Sequence, residues 1–101
     1  MWLSEKARND AIREMLAGTP GVARLWGAEG PTHKACELLR ADGGYLSSGE
    51  RLLLKAAFDL WNGQGHCRVD ELLDTLDEKR LRAVAEALVA RDGSSEVRRG
   101  R

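Results

Sequence analysis

The sequence predicts an all-α fold, a compact single domain of four to five helices around a central buried helix at about residues 48–62. The central stretch RLLLKAAFDLW carries its polar residues Arg51, Lys55 and Asp59 four positions apart, so that they form one narrow stripe on a helix. Its other positions are apolar, and such a helix must be enclosed by neighbouring elements. Caps and glycine-rich connectors divide the rest of the chain into segments of helical length.

The first helix is predicted to begin after Ser4, whose side chain can cap it, and to end at Gly18. Its apolar residues recur at three- and four-residue spacing, which favours packing on one face: Ala7, Ala11, Ile12, Met15 and Leu16. The connector at residues 18–31 contains four glycines and both prolines. We therefore expect it to hold at most one short helix, from Val22 to Trp26.

Two cap signals organise the middle of the chain. Thr32 is expected to cap a third helix, with the glycine pair at 43–44 beyond its end. Ser47 and Glu50 match a capping box, in which a serine oxygen and a glutamate carboxylate each accept a hydrogen bond from a backbone amide. This box predicts the start of the central helix, and Asn62-Gly63 predicts its end.

The C-terminal part is predicted to contain two further helices. A short extended piece is expected at 66–69, followed by a brief helix capped by Asp70. The five-residue step from Leu76 to Leu81 breaks the helical phase and predicts a turn at 75–78, with Thr75 to Glu78 as a second capping box. The last helix then runs from about 78 to 91. This pattern gives one helical domain at 1–93 and a flexible basic tail at 94–101.

Composition excludes several classes of protein. Sixteen basic residues balance sixteen acidic ones, so no overall field attracts the chain to nucleic acid or to an anionic membrane. No apolar run approaches the roughly 20 residues of a membrane span, and the start of the sequence is charged, which favours a cytoplasmic protein. The two cysteines are expected to be free thiols. Frequent Ala, Leu, Gly and Arg suit a bacterial coding sequence.

Both histidines and both cysteines occur as pairs, His33 with Cys36 and His66 with Cys67. They supply the ligand types of a zinc site, but adjacent side chains rarely converge on one ion and the intervals match no zinc-binding pattern. We therefore predict no metal and no cofactor. Cys67 beside His66 also lacks a third group to orient a catalytic pair, and no other catalytic motif is present, so the protein is predicted not to be an enzyme.

The preferred function is protein–protein interaction, as an adaptor, regulator or inhibitor. Three tryptophans accompany one Phe and one Tyr, and Trp2, Trp26 and Trp61 lie at segment ends or in connectors where aromatic side chains can serve as binding anchors. Trp26 has a second interpretation, as a lid on the core. The expected partner is another protein, and a homodimer is the alternative.

A second functional hypothesis is DNA binding by a winged helix-turn-helix. In that arrangement the last helix begins with three basic residues and the tail grips phosphate with three more: Lys79, Arg80, Arg82, Arg98, Arg99 and Arg101. Acidic residues at Asp74, Asp77 and Glu78 and a net charge of zero count against it. Nucleic acid is therefore the less favoured partner.

Overall fold

The computed structural model describes residues 4–63 and 65–90, which form six helices and one small sheet. The elements are α1 (Glu5–Leu16), α2 (Pro20–Ala23), β1 (Trp26–Gly27), β2 (Gly30–Pro31), α3 (His33–Arg40), α4 (Ser48–Asn62), α5 (Val69–Thr75) and α6 (Glu78–Ala90). The all-α prediction is confirmed, and the sixth helix is α2, the single turn that forms in the connector where at most one short helix is expected. The expected domain boundary at residue 93 and the tail at 94–101 lie outside the described residues.

Helix α4 is the centre of the molecule, as the apolar pattern predicts. Its buried residues are Leu52, Leu53, Leu54, Ala56, Ala57 and Phe58, and α1, α2, α3 and α5 all pack against it. The predicted capping box is present, because Ser47 Oγ accepts from the Glu50 amide at 3.3 Å and the Glu50 carboxylate accepts from the Ser47 amide at 3.0 Å. Gly63 ends the helix in the left-handed conformation.

The other two helix starts with clear sequence signals are also confirmed. Ser4 Oγ accepts from the Ala7 amide at 3.0 Å at the start of α1. Thr32 Oγ1 accepts from the Ala35 amide at 3.2 Å at the start of α3. Each hydroxyl satisfies a backbone donor that has no partner within its helix.

The polar stripe of α4 is used to hold the preceding loop. Lys55 forms a 2.8 Å ion pair with Asp42, and the Arg51 guanidinium donates to the Leu46 carbonyl at 3.4 Å. The Lys55 ammonium lowers the pKa of Asp42, chiefly through this hydrogen bond. Gly43 lies against the Arg51 side chain with a φ of 93°, so a side chain at this position would be both strained and in collision with Arg51. The stripe therefore ties the loop between α3 and α4 to the central helix.

The helix expected at Val22 to Trp26 is wrong in position. Helix α2 begins two residues earlier at Pro20, whose ring presets the helical φ at a position where no amide donor is needed. The chain then leaves the helix, and Trp26–Gly27 pairs antiparallel with Gly30–Pro31. Gly30 has a φ of 121°, and a side chain there would approach Trp61 to within 2.9 Å. Glycine thus permits both the tight turn and its close packing on α4.

A buried asparagine holds this turn to α1. The Asn9 side chain donates to the carbonyls of Gly27 at 3.0 Å and Ala28 at 2.9 Å. Its oxygen accepts from the indole N–H of Trp26 at 2.7 Å. Both the NH2 group and the oxygen of the Asn9 side chain therefore have hydrogen-bond partners, as a buried amide requires.

The last two helices begin with caps that differ from the predicted ones. At α5 the cap position is Arg68, whose amide donates to the Glu71 carboxylate at 3.1 Å, while Asp70 lies in the first turn and pairs with the Arg68 side chain at 2.7 Å. At α6 the Asp77 carboxylate accepts from the Arg80 amide at 2.8 Å. Asp77 therefore caps α6, the role that the sequence pattern predicts for Thr75. Thr75 is instead the last residue of α5.

The break between α5 and α6 is confirmed at residues 76–77. Within the extended piece expected at 66–69, Arg68 has extended backbone angles, residues 65–68 form no strand, and residue 69 already belongs to α5. Among the described helices, none combines the length and the apolar character that crossing a membrane requires.

Helices α1 and α6 pack antiparallel against each other. At one end the Arg80 guanidinium donates to Thr19 Oγ1 at 2.9 Å, just beyond the end of α1. At the other end Ala11 of α1 and Ala90 of α6 line the same depression. Because α6 contacts mainly α1, a large part of its circumference is left uncovered.

Candidate interaction surfaces

Trp26 belongs to the core. Its side chain is 3% exposed, and the ring packs edge-on against Phe58 at 5.2 Å and against Trp61 at 5.8 Å between ring centroids. Of the two interpretations of Trp26, the structure supports the lid on the core. This burial removes Trp26 as a binding anchor in the folded monomer.

Trp61 is partly buried, and its ring is covered from α1. The Arg8 guanidinium lies 4.2 Å from the ring centroid, and Arg8 Nη1 donates to the Trp61 carbonyl at 2.8 Å. Two of the three tryptophans do lie together, but as an internal cluster with Phe58 instead of a surface patch. Trp2 lies outside the described residues.

Large apolar side chains that are exposed occur at Tyr45, in the loop between α3 and α4, and on the last two helices. No residue of α5 is buried, and Val69 and Leu73 are 72% and 62% exposed. These two residues lie four positions apart and therefore on one side of the helix. The side of α5 that carries them faces solvent.

Helix α6 carries the longer apolar surface. Leu81, Ala85, Leu88 and Val89 follow one another at helical spacing and form a single stripe, which we name the α6 apolar flank. Leu88 is 52% and Val89 42% exposed, Ala85 is exposed and Leu81 is partly buried. The buried residues Val84 and Ala87 lie to one side of this stripe.

The spacing of apolar residues in the sequence does not distinguish the α6 apolar flank from the buried side of the same helix. Leu81, Val84 and Leu88 follow the same three- and four-residue spacing, which is typical of a helix packed on a core. The feature that indicates an exposed flank beside the buried side is the width of the apolar surface around the helix. The apolar residues of α6 cover more of its circumference than one neighbouring helix can bury.

The basic residues at the start of α6 are largely paired. Arg80 binds Thr19 and approaches Asp77 at 3.3 Å, and Arg82 pairs with Glu78 at 2.7 Å. Phosphate that approached this turn would meet two carboxylates. No strand that could form a wing occurs between residues 65 and 90, and the arginines at 98, 99 and 101 lie outside the described residues.

Within residues 4–63 and 65–90, no group of three or more His, Cys, Asp or Glu side chains is arranged to hold a metal ion. His33 lies 3.3 Å from Glu37, one turn further along α3. Both cysteines are free thiols. One His/Cys pair lies on α3, and the other lies in the loop between α4 and α5.

Asp59 closes the loop between α4 and α5. Its two carboxylate oxygens accept from the backbone amides of His66 at 2.6 Å and Cys67 at 2.9 Å. Burial, together with the hydrogen bond and the negative charge of Asp59, raises the pKa of the Cys67 thiol to about 12. The thiol is therefore protonated at neutral pH, which makes it a poor nucleophile despite the neighbouring histidine.

This protonation predicts slow alkylation of Cys67. In a Cys36→Ser variant, where Cys67 is the sole thiol, we expect iodoacetamide at pH 8 to react on the order of a hundredfold more slowly with the folded protein than with the urea-unfolded chain, because far less thiolate is present. The folded chain holds a proton that the unfolded chain loses near pH 9. The free energy of unfolding should therefore fall as the pH rises from about 9 towards 12.

A Cys67→Ala variant is the control for this pH dependence, because it retains every other titrating group. The decline above pH 9 should be smaller in that variant. Equal alkylation rates in the folded and unfolded chains would show that Asp59 and burial do not protect the thiol.

Comparison of the chain with protein-family models, curated proteins and solved structures gives no match. The class of the protein therefore follows from its own fold and surfaces: it is a small all-α domain whose last helix presents an apolar flank to solvent.

Proposed function

We propose that the protein is a small cytoplasmic bacterial interaction protein, an adaptor, regulator or inhibitor that acts without catalysis by binding another protein. The observation that supports this most is the α6 apolar flank. Single exposed apolar residues are ordinary on protein surfaces, but a stripe that repeats over successive turns offers a continuous contact line. Partner helices pack along such lines by placing side chains between the ridges of the facing helix.

The same flank is also the best candidate for self-association. Two copies of α6 could pack through Leu88 and its neighbours, with the same residues contributed by each copy. A heterologous partner is preferred because the flank lies on one helix and is narrow.

The test is substitution on the flank. Leu88→Glu introduces a charge at the centre of the proposed contact, whereas Ala28→Glu introduces the same charge at the exposed turn between β1 and β2. Both variants should retain stability within about 0.5 kcal/mol, since neither residue is buried. A partner captured from bacterial lysate by the wild type and by Ala28→Glu should be depleted at least tenfold with Leu88→Glu.

Size-exclusion chromatography with light scattering on the same three proteins tests the homodimer. If the wild type is a dimer and Leu88→Glu is a monomer, the flank binds a second copy of the chain and not a different protein. Capture of the same proteins in the same amounts by all three would contradict the role of the flank.

A further inference from the structure

A groove follows the seam between α1 and α6, on a different side of α6 from the apolar flank. Its larger part has a volume of about 850 Å³ and lies towards the end of α1. A smaller depression of about 90 Å³ continues it towards the end of α6. Both parts are lined by Glu14, Met15, Ala83 and Glu86, so they form one surface that we name the α1/α6 groove.

Two carboxylates of this groove have no cation of their own. Glu14 and Glu86 form no ion pair with any other residue of the described ranges. Nearby acidic residues differ, since Asp77 and Glu78 at the start of α6 are paired with arginines. Both of these arginines, Arg80 and Arg82, line the groove as well, so its unpaired charges are the two carboxylates, one on each wall, and Lys79.

Apolar atoms accompany these carboxylates. Met15, Ala83 and Ala87 line the groove, and the small alanines leave room for an incoming side chain. At the opposite end of the groove lies Lys79, whose Cε is 3.6 Å from the position of a side chain built on Gly18. Lys79 forms no ion pair with the described residues either, so charge changes sign along the groove.

We propose that the α1/α6 groove binds a segment of a partner protein that carries lysine or arginine. The cationic side chain contacts Glu14 and Glu86, and its aliphatic stem lies on Met15 and the alanines, as long basic side chains do on apolar surface. This inference rests on the proposed interaction function and names the chemistry of the partner. The lysine at the far end favours an acidic residue or carboxyl terminus there and so sets the direction of the bound segment.

Peptide selection tests the groove directly. A display library of short random peptides is selected on the wild-type protein, and the affinities of selected peptides are measured by fluorescence anisotropy. We expect enrichment of Lys and Arg in peptides whose binding weakens at least tenfold with the double variant Glu14→Gln/Glu86→Gln and weakens with added salt.

The matched control is Glu29→Gln/Asp74→Asn. It removes two other exposed carboxylates that form no ion pair within the described residues, and so changes the net charge equally. Selected peptides should bind this control as tightly as the wild type. Circular dichroism and thermal unfolding verify that both double variants are folded.

Three results would overturn the proposal. The first is that no peptide is selected, and the second is that peptide affinity falls equally in the two double variants. The third is that selection becomes stronger after truncation at Ala90 and that a synthetic peptide of residues 91–101 binds the truncated protein. The last result would make the chain's own basic end the occupant of the groove. Because the Leu88→Glu experiment concerns another side of α6, its success would retain the interaction function even if the groove assignment failed.

Discussion

Replacement of Trp26 by alanine is expected to lower the free energy of unfolding by about 3 to 5 kcal/mol, the range for removal of a large buried aromatic side chain. The indole fills the space between Phe58 and Trp61, and its N–H is the donor to buried Asn9. The variant loses the apolar burial and the edge-on ring contacts, and it leaves one acceptor of Asn9 without its partner.

Urea denaturation followed by circular dichroism measures this loss as a change in midpoint at an unchanged slope. Trp26→Phe is the informative companion, because it keeps an aromatic ring but removes the N–H donor, and it should fall between wild type and Trp26→Ala. A loss below about 1 kcal/mol for Trp26→Ala would mean that the ring is not enclosed as described.

Replacement of Asn9 by leucine is expected to cost about 3 kcal/mol. Leucine has the same number and branching of side-chain heavy atoms, but the carbonyls of Gly27 and Ala28 lose their donor and the Trp26 indole loses its acceptor. A buried polar group without a partner costs more free energy than an intact hydrogen bond contributes. With two carbonyls and one indole N–H left without partners, the loss of stability should exceed that of an ordinary surface substitution.

Hydrogen exchange should locate the effect of Asn9→Leu in the turn between β1 and β2, with faster exchange there than in α4. Asn62→Leu serves as the control, since Asn62 is exposed at the end of α4 and should change stability by less than about 0.5 kcal/mol. Equal destabilisation by the two variants would contradict the anchoring role of Asn9.

The parts of the fold that could be predicted are those with local signals. Ser4, Thr32 and Ser47 each cap a helix through an amide three residues away, so the sequence contains both donor and acceptor within one short window. The enclosure of α4 was equally predictable, because its apolar residues occupy most of the helical circumference.

The parts that could not be predicted depend on residues distant in the sequence. In the sequence, Asn9 is one of several polar residues of α1 and has no distinguishing feature. Its hydrogen-bond partners lie 17 to 19 positions further along the chain. Asp59 belongs to a stripe that helical periodicity assigns to solvent, yet it accepts two amides from the next loop. Helical spacing indicates which residues share a side but not which neighbour, if any, covers it.

The sequence predicts that the protein binds through a surface, but it does not predict which residues form that surface. A search for aromatic anchors directs attention to Trp26 and Trp61, which the fold uses internally. The α6 apolar flank and the α1/α6 groove follow from the position of α6, which packs mainly against one helix. That position depends on long-range pairing with α1, for which sequence periodicity gives no measure.

The pairing of α1 with α6 has a consequence for the order of events during biosynthesis. The hydrogen bond from Arg80 to Thr19 joins residues 61 positions apart, so α1 emerges from the ribosome long before the helix that covers it. Until then α1 lacks the helix with which it makes its most extensive contact and packs mainly against α4 and α2. Completion of the native structure must therefore wait for the last helix, and nascent chains that stop before α6 should be the species most dependent on chaperones.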